Sequence, residues 1–373
     1  MIAVEKLRQY LEVDPENSEL ALQLLETLVS TGDIDGAFQF YESLGVKAQK
    51  DYRFKAWYAH LNMAVLRFDA AILIYEEMFA NGHVYEGHKI NCAYAHYHCG
   101  NNKSALALLN DCSSDALAHL ILKVRCMGSE GDLSSAIRLL ESKDFTSSSS
   151  KLNSEKSGLL ALLYLDDANY PKAQQYAQEA LSQDRSNFDA KLVNATLSLF
   201  KLEIDQAIKR ICVLYELYPN VGRVIILKAL LEMYQNNLEE AVQLYEKVCE
   251  IMPDHVGSKV NLAWCYFLNG DSVKAEVVFK QSIEIDRTFA ESYGGMSLIK
   301  VKQERRAESK ELAKTALRLD SACPSALFSR ALYLQHLGKD GEANKIMDGL
   351  TSFKGEISDR TIKEVVLERL KTG

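Results

Sequence analysis

The sequence predicts an all-α solenoid of antiparallel helix pairs, and three observations carry that prediction. Small residues recur at a fixed interval: Ala37, Ala71, Ala105, Ala173, Ala207, Ala241, Ala275 and Ala343 stand 34 residues, or a multiple of 34, apart. Ser309 takes the alanine's place once, and Ala136 comes three residues early, a slip cancelled before Ala173. A second register lies twelve residues upstream, through Leu25, Ala59, Ala93, Val124, Ala161, Ala195, Ala229, Ala263, Ser297 and Ala331. Helices that cross closely leave no room for a large side chain, so two small positions at one period mark stacked helix-turn-helix units. Composition agrees, because five prolines and nineteen glycines in 373 residues leave little for disordered tails.

The elements follow in order along the chain. Met1 to Leu11 reads as the second helix of a pair without its first, with Ala3, Leu7 and Tyr10 in register ahead of Pro15. Full pairs come next. In RVIILKALLEMYQNNLEEAVQLYEKVCEIMPD, Ala229 and Ala241 are the small positions, Tyr245 the bulky one, and Pro253 closes the second helix. The following pair supplies Leu262, Ala263, Tyr266, Gly270, Ala275 and Phe279, and the last supplies Ala331, Gly338 and Ala343. One polar run, TSSSSKLNSEKSG, predicts a linker or loop at 146–156. It divides an N-terminal block, 1–145, from a C-terminal block of six pairs, 157–357, and a hinge and a tolerated surface loop stand as equal alternatives. Residues 358–373 read as a single capping helix, with Ile362, Val365, Val366 and Leu370 on an apolar stripe. Asp359 near its start and Arg369 and Lys371 near its end suit the helix dipole.

These residues resemble the tetratricopeptide repeat superfamily over nearly the whole chain. The resemblance implies a right-handed superhelix whose first helices line a concave face through their second, fifth, ninth and twelfth positions. It also implies that another protein lies in that groove. There are departures: the tryptophan usual near the start of the first helix is absent throughout, and the closing proline appears only at Pro15, Pro219 and Pro253.

On the groove positions the two blocks differ. The ninth position of the N-terminal block gives Glu26, His60, Tyr94 and Arg125, a mixed polar surface. In the C-terminal block it gives Leu162, Thr196, Leu230, Trp264, Leu298 and Leu332, where the family favours asparagine. The fifth and twelfth positions add Leu192, Leu199, Ile226, Met233, Val260, Phe267, Val301 and Phe328. If open, this stripe is larger than a soluble monomer leaves uncovered, and it suits an amphipathic helix or an extended apolar segment of a partner. Packing between tightly coiled repeats and a homodimer over the same face are the alternatives. Trp264 and Phe267 are the expected hot spots. Gly294 and Gly295 inside a helix cost about 1 kcal/mol each, so a ligand backbone or a neighbouring helix should pass close by. Related proteins hold acidic chaperone tails with lysine at the fifth position, and no lysine stands there in any repeat, so that clamp is not expected.

Other functions are disfavoured. A net charge of −8 argues against nucleic-acid binding. No run approaches a membrane span, and Glu5, Lys6 and Arg8 interrupt any secretory core, so no membrane insertion is expected and cytoplasm is the default location. His88, Cys92, His96 and Cys99 form one stripe of potential zinc ligands on a helix. They spread over roughly 16 Å of rise, so all four cannot surround one ion, and a core pair with a hydrogen-bonded histidine ranks ahead of a metal site. The eight cysteines include no C-x-x-C pair and read as reduced, buried thiols. No cofactor-binding or catalytic motif is present, so no cofactor and no enzymatic activity are expected. The resulting expectation is a non-enzymatic scaffold or adaptor, resembling in surface character those repeat proteins that chaperone exported or membrane-destined subunits. An obligate structural subunit with its groove permanently filled is the alternative.

Overall fold

The computed structural model describes residues 2–113, 116–142 and 149–352, so the predicted capping helix at 358–373 lies outside the described residues. Among the described residues there are twenty-two helices and no strand. They fall into two compact units, Met1–Asn169 with Glu179–Arg185, and Tyr170–Gln178 with Ser186–Gly373.

In the first unit, α1 (Ile2–Val13) packs on α2 (Ser18–Ser30), which pairs with α3 (Ile34–Ser43). The short α4 (Val46–Lys50) follows, then α5 (Tyr52–Ala64) with α6 (Phe68–Ala80), α7 (Glu86–His98) with α8 (Asn102–Asn110), and α9 (Leu117–Ser129) with α10 (Leu133–Glu141). Next comes α11 (Ser150–Asp166), and α12 (Tyr170–Gln183) is shared between the units. The second unit continues with α13 (Phe188–Phe200) and α14 (Ile204–Leu217), α15 (Gly222–Tyr234) and α16 (Leu238–Ile251), and α17 (Val256–Leu268) and α18 (Ser272–Ile285). It closes with α19 (Ala290–Lys302) and α20 (Arg306–Leu319), and α21 (Pro324–His336) and α22 (Asp340–Ser352). The architecture is thus an all-α solenoid of helix pairs.

The small residues sit where the helices cross. All ten positions of the register from Leu25 to Ala331 and all ten of the register from Ala37 to Ala343 are at most 1% exposed. Where serine replaces alanine, its hydroxyl is satisfied inside the crossing. Ser297 Oγ donates to the Gly294 carbonyl at 2.6 Å, and Ser309 and Ser329 share a hydrogen bond at 3.0 Å. Larger side chains four residues on, such as Tyr75, Tyr245 and Phe279, then fill the space beside each crossing and are fully buried.

The turn inside each pair is equally regular. One residue takes the left-handed conformation, at Gly32, Leu66, Gly100, Gly131, Ala168, Leu202, Asn236, Gly270, Glu304 and Gly338, with φ between 56° and 91°. The following N–H reaches back five residues, as in Asp33 N to the Leu28 carbonyl (2.9 Å) and Asp271 N to the Tyr266 carbonyl (2.9 Å). That bond is the Schellman closure, and it uses a carbonyl that the end of a helix would otherwise leave unpaired. Asp33, Asp132 and Asp271 each then cap the second helix by accepting from a backbone N–H three residues on.

Two stretches differ from an uninterrupted pair. The second helix of the first pair ends early: α3 stops at Ser43, and after Leu44 and Gly45 the short α4 occupies the connection to α5; Gln49 Nε2 donates to the Tyr41 carbonyl across the break (3.3 Å). Within the serine-rich run, residues 150–156 are the opening turns of α11. Ser149 Oγ caps them by accepting from Leu152 N, and two later serines find partners on α12. Ser154 donates to the Ala180 carbonyl and Ser157 to Glu179, each at 2.9 Å. Serine favours helix ends because its hydroxyl competes for backbone groups, and here those hydroxyls are engaged by the neighbouring helix. Residues 146–148 of the run lie outside the described residues.

A second-unit ion pair joins a buried lysine to a half-buried carboxylate: Lys300 on α19 meets Glu276 on α18 at 2.5 Å, and Gln303 Nε2 donates to the other carboxylate oxygen (2.7 Å). The hydrogen bond from Lys300 holds the Glu276 pKa below its ordinary value near 4.5, against the opposing effect of burial.

Two outcomes are expected. Leu66 is largely exposed at φ 61°, so Leu66→Gly removes left-handed strain without losing packing. The change should raise the urea midpoint by about 0.5–1 kcal/mol of stability; a lower midpoint would contradict it. Glu276→Gln should destabilise by about 1–3 kcal/mol at neutral pH, since it leaves the Lys300 charge unmatched. A carboxylate with a depressed folded pKa stabilises above its ordinary pKa, and the contribution is lost as pH falls through the folded value. Denaturation of wild type and variant across acidic pH should therefore converge, and a constant gap would refute the assignment.

Candidate interaction surface

The first helices of the second unit, α13, α15, α17, α19 and α21, bring the predicted apolar stripe together, but to unequal depths. Leu192, Leu199, Val260 and Leu298 are buried, whereas Thr196, Ile226, Leu230, Met233, Trp264, Phe267, Val301 and Leu332 are half-buried. Phe328, on α21, is 36% exposed. Two of the buried members, Val260 and Leu298, stand on first helices that pack directly together, α17 on α19 and α19 on α21.

Trp264 anchors the accessible part. Its ring meets Phe267 edge-on at 5.8 Å and Phe279 edge-on at 5.5 Å, both favourable aromatic geometries. Lys302 Nζ lies 5.4 Å from the Phe267 ring centre, placing a cation beside the aromatic pair. Glu291, at the start of α19, is a polar feature that the apolar pattern passes over. Its Oε2 accepts from Ser325 Oγ (2.9 Å) and Cys323 Sγ (3.2 Å), and Trp264 is also a hydrogen-bond partner. Burial raises its pKa and outweighs those hydrogen bonds, which act the other way. The only sequence signal was its place at the second position of the first helix, a row in which apolar residues do not recur.

Gly294 and Gly295 are explained by neighbouring helices. A Cβ on Gly295 would fall 2.2 Å from Phe279 Cζ, and one on Gly294 would fall 2.0 Å from Ser325 Oγ and 3.1 Å from Ala326 N. The two glycines let α19 approach α18 and α21 together.

The polar row lies in the first unit. Glu26, His60 and Tyr94 are exposed and Arg125 is half-buried. Tyr94 contacts the His98 ring (4.4 Å between centres), Phe68 stacks on that imidazole (4.6 Å, 10° between planes), and the Phe68 and Tyr94 rings meet edge-on at 6.3 Å. Burial, with Arg125 nearby, lowers the His98 pKa, so the ring is neutral at physiological pH.

The histidine–cysteine stripe is on α7, as its spacing predicts, with Cys99 as the C-cap. Cys92 belongs to the apolar core with Ala59, Tyr75 and Met78, and burial pushes its thiol up to about 12. Cys99 donates to Asp69 Oδ1 (3.3 Å), and burial together with that carboxylate pushes it up to about 11. Burial lowers the pKa of His88, outweighing a hydrogen bond with the His83 backbone, and lowers that of His96. Among the described residues, no three His, Cys, Asp or Glu side chains converge as a metal cluster. No described helix is long and apolar enough to cross a membrane.

Residues 232–299 match the family model for the tetratricopeptide repeat. Human tetratricopeptide repeat protein 7B is 26% identical over 113 residues, which are 30% of this chain and 13% of that protein. The chain therefore spans a small part of the length of that curated relative. Among solved structures, similar backbones occur in the APC/C hetero-tetramer Cut9-Hcn1 (TM-score 0.49, 11% identity, 92% of this chain and 80% of that one). They occur also in PilF of Pseudomonas aeruginosa (0.43, 15%, 59% and 99%) and in yeast Tom70 (0.40, 14%, 92% and 88%). Residues 232–299 are thus similar to the tetratricopeptide repeat, and the helix pairs on either side of that segment carry the same crossings and Schellman turns.

Gly295→Ala should lose about 1–3 kcal/mol in denaturant titration, because the added methyl overpacks the Phe279 ring. Phe279→Leu in the same chain should recover part of that loss. Stabilisation by the single change, as helix propensity alone would give, would refute the close approach.

Proposed function

We propose that the chain is a non-enzymatic scaffold or adaptor that holds an amphipathic helix or an extended apolar segment of another protein against the first-helix face of residues 188–336. The half-buried aromatic group on α17, with Phe328 on α21, is the observation that carries this reading. Trp264, Phe267 and Phe328 retain accessible ring surface, and Lys302 borders it with charge. Aromatic anchors of this kind, set on a rigid support and rimmed by polar groups, carry most of the energy in protein interfaces. A chaperone or assembly-factor role and a cytoplasmic location fit the same surface. The polar row at Glu26, His60, Tyr94 and Arg125 would serve a second partner. Residues 146–156 and the division into N- and C-terminal blocks would then separate the two binding regions.

The depth of Leu192, Leu199, Val260 and Leu298 favours a narrow seat over a wide one, so the partner's contact runs along the exposed edge of the stripe. A homodimer, or an obligate subunit whose groove is permanently filled, would use the same edge and differ in what is free in solution.

Affinity capture with mass spectrometry should distinguish these cases, comparing wild type with Leu230→Glu/Trp264→Glu after circular dichroism has shown that the variant folds. Loss of one stoichiometric partner from the folded variant supports the seat. Unchanged capture moves the site elsewhere, and unfolding assigns those residues to the core. Loss of self-association by light scattering would instead support the homodimer.

A further inference from the structure

A second site lies between α20 and α21. In the three preceding pairs, the residue four positions after the small crossing residue is Ile211, Tyr245 or Phe279, and each is fully buried against the adjoining helices. In α20 that position is Ala313. The missing bulk leaves a cavity of about 420 Å³, floored by Ala313, Leu317, Tyr333 and Leu334. That volume is within the range of ligand sites, about 300–1,000 Å³.

The rim is cationic. Lys310, Lys314 and Arg318 recur every four residues along one face of α20, and Arg330 faces them from α21; all four are exposed and line the cavity. Among the described residues, no carboxylate lines it. Lys314 has a loose, exposed ion pair with Glu311 at 3.7 Å, and Lys310 lies 5.6 Å from the Tyr333 ring centre. Among the described residues, no ion pair engages Lys310, Arg318 or Arg330. In a chain of net charge −8, a four-cation rim over an apolar floor is a local reversal of sign. None of these residues belongs to the stripe on the first-helix face.

We propose that this cavity is a docking site for an acidic segment of another protein, which inserts one aromatic or large aliphatic side chain beside Ala313. The inserted side chain would replace the bulk that Tyr245 and Phe279 supply in their own repeats. The rim would select carboxylates on either side of it and speed encounter. Both features are required, because a cationic rim alone attracts any polyanion.

The test is fluorescence anisotropy with the full chain and a labelled peptide in which glutamates flank a single phenylalanine. Saturable binding that weakens with salt is expected, with the phenylalanine-to-alanine peptide at least about tenfold weaker. Arg318→Glu/Arg330→Glu, at exposed positions, should also weaken binding by about tenfold or more. Ala313→Phe should fill the cavity and abolish the preference for phenylalanine while keeping the fold, as seen by circular dichroism. If Ala313→Phe fails to fold, the paired peptides and the charge reversal still decide. Leu230→Glu/Trp264→Glu should leave this binding unchanged, which separates it from the first-helix face. Absence of saturable binding overturns the proposal. So do equal affinities for the two peptides, indifference to the charge reversal, or a preference for phosphatidylserine vesicles over the peptide.

Discussion

The closed crossing between paired helices is the constraint on which the rest of the structure depends. With both contact residues small and shut off from water, the two helix axes can approach until backbone nearly meets backbone. That approach sets where the bulky side chains four residues on must pack, and so fixes the faces the first helices present. A residue such as Tyr245 is placed by Ala241 and Ala263 around it, and Trp264 follows from its position next to Ala263. The interaction surface is thus a by-product of the crossings.

Polar groups in the interior obey the same geometry. Ser297 and Ser309 can replace alanine because their hydroxyls find a carbonyl or a second hydroxyl within the crossing. Glu291 and Glu276 are drawn between helices only where several donors meet them. Burial sets the protonation of the remaining titratable groups: the thiols of Cys92 and Cys99 are held as thiols and the imidazoles of His88, His96 and His98 as neutral rings.

Much of the fold was legible because a crossing leaves a mark at single positions. Leu25, Val124 and Ser297 depart from alanine yet keep register, and each proved to be fully buried. The opening half pair, α1, was legible for the same reason. The break between α3 and α4 was not, since nothing at Leu44 and Gly45 interrupts the spacing of the small residues. Nor was the helix at 150–156 visible, because serine's preference for loops is reversed only by partners on α12 that lie some 26 residues away, as Ser154 and Ala180 do. Periodicity named the row of stripe residues but not their depth, which depends on how tightly adjacent first helices close. The role of Gly294 and Gly295 was half visible: two helical glycines require a close neighbour, and the structure supplies α18 and α21.

The turn inside each pair has a consequence for how such a chain can change length. From Ala59 to Ala71, from Val124 to Ala136 and from Ala161 to Ala173 the count is always twelve. Between pairs it varies, from nineteen residues between Ala105 and Val124 to twenty-five between Ala136 and Ala161. A single left-handed residue and its five-residue backbone bond leave no slack in the first kind of connection. Among the described residues only the connection after α6 has a comparable closure, with Gly82 at φ 84° and His83 N on the Met78 carbonyl (3.0 Å), so changes of length are absorbed between pairs without disturbing the crossings. The chain therefore behaves as rigid cassettes on an adjustable thread, and a tag or a grafted loop belongs on the thread.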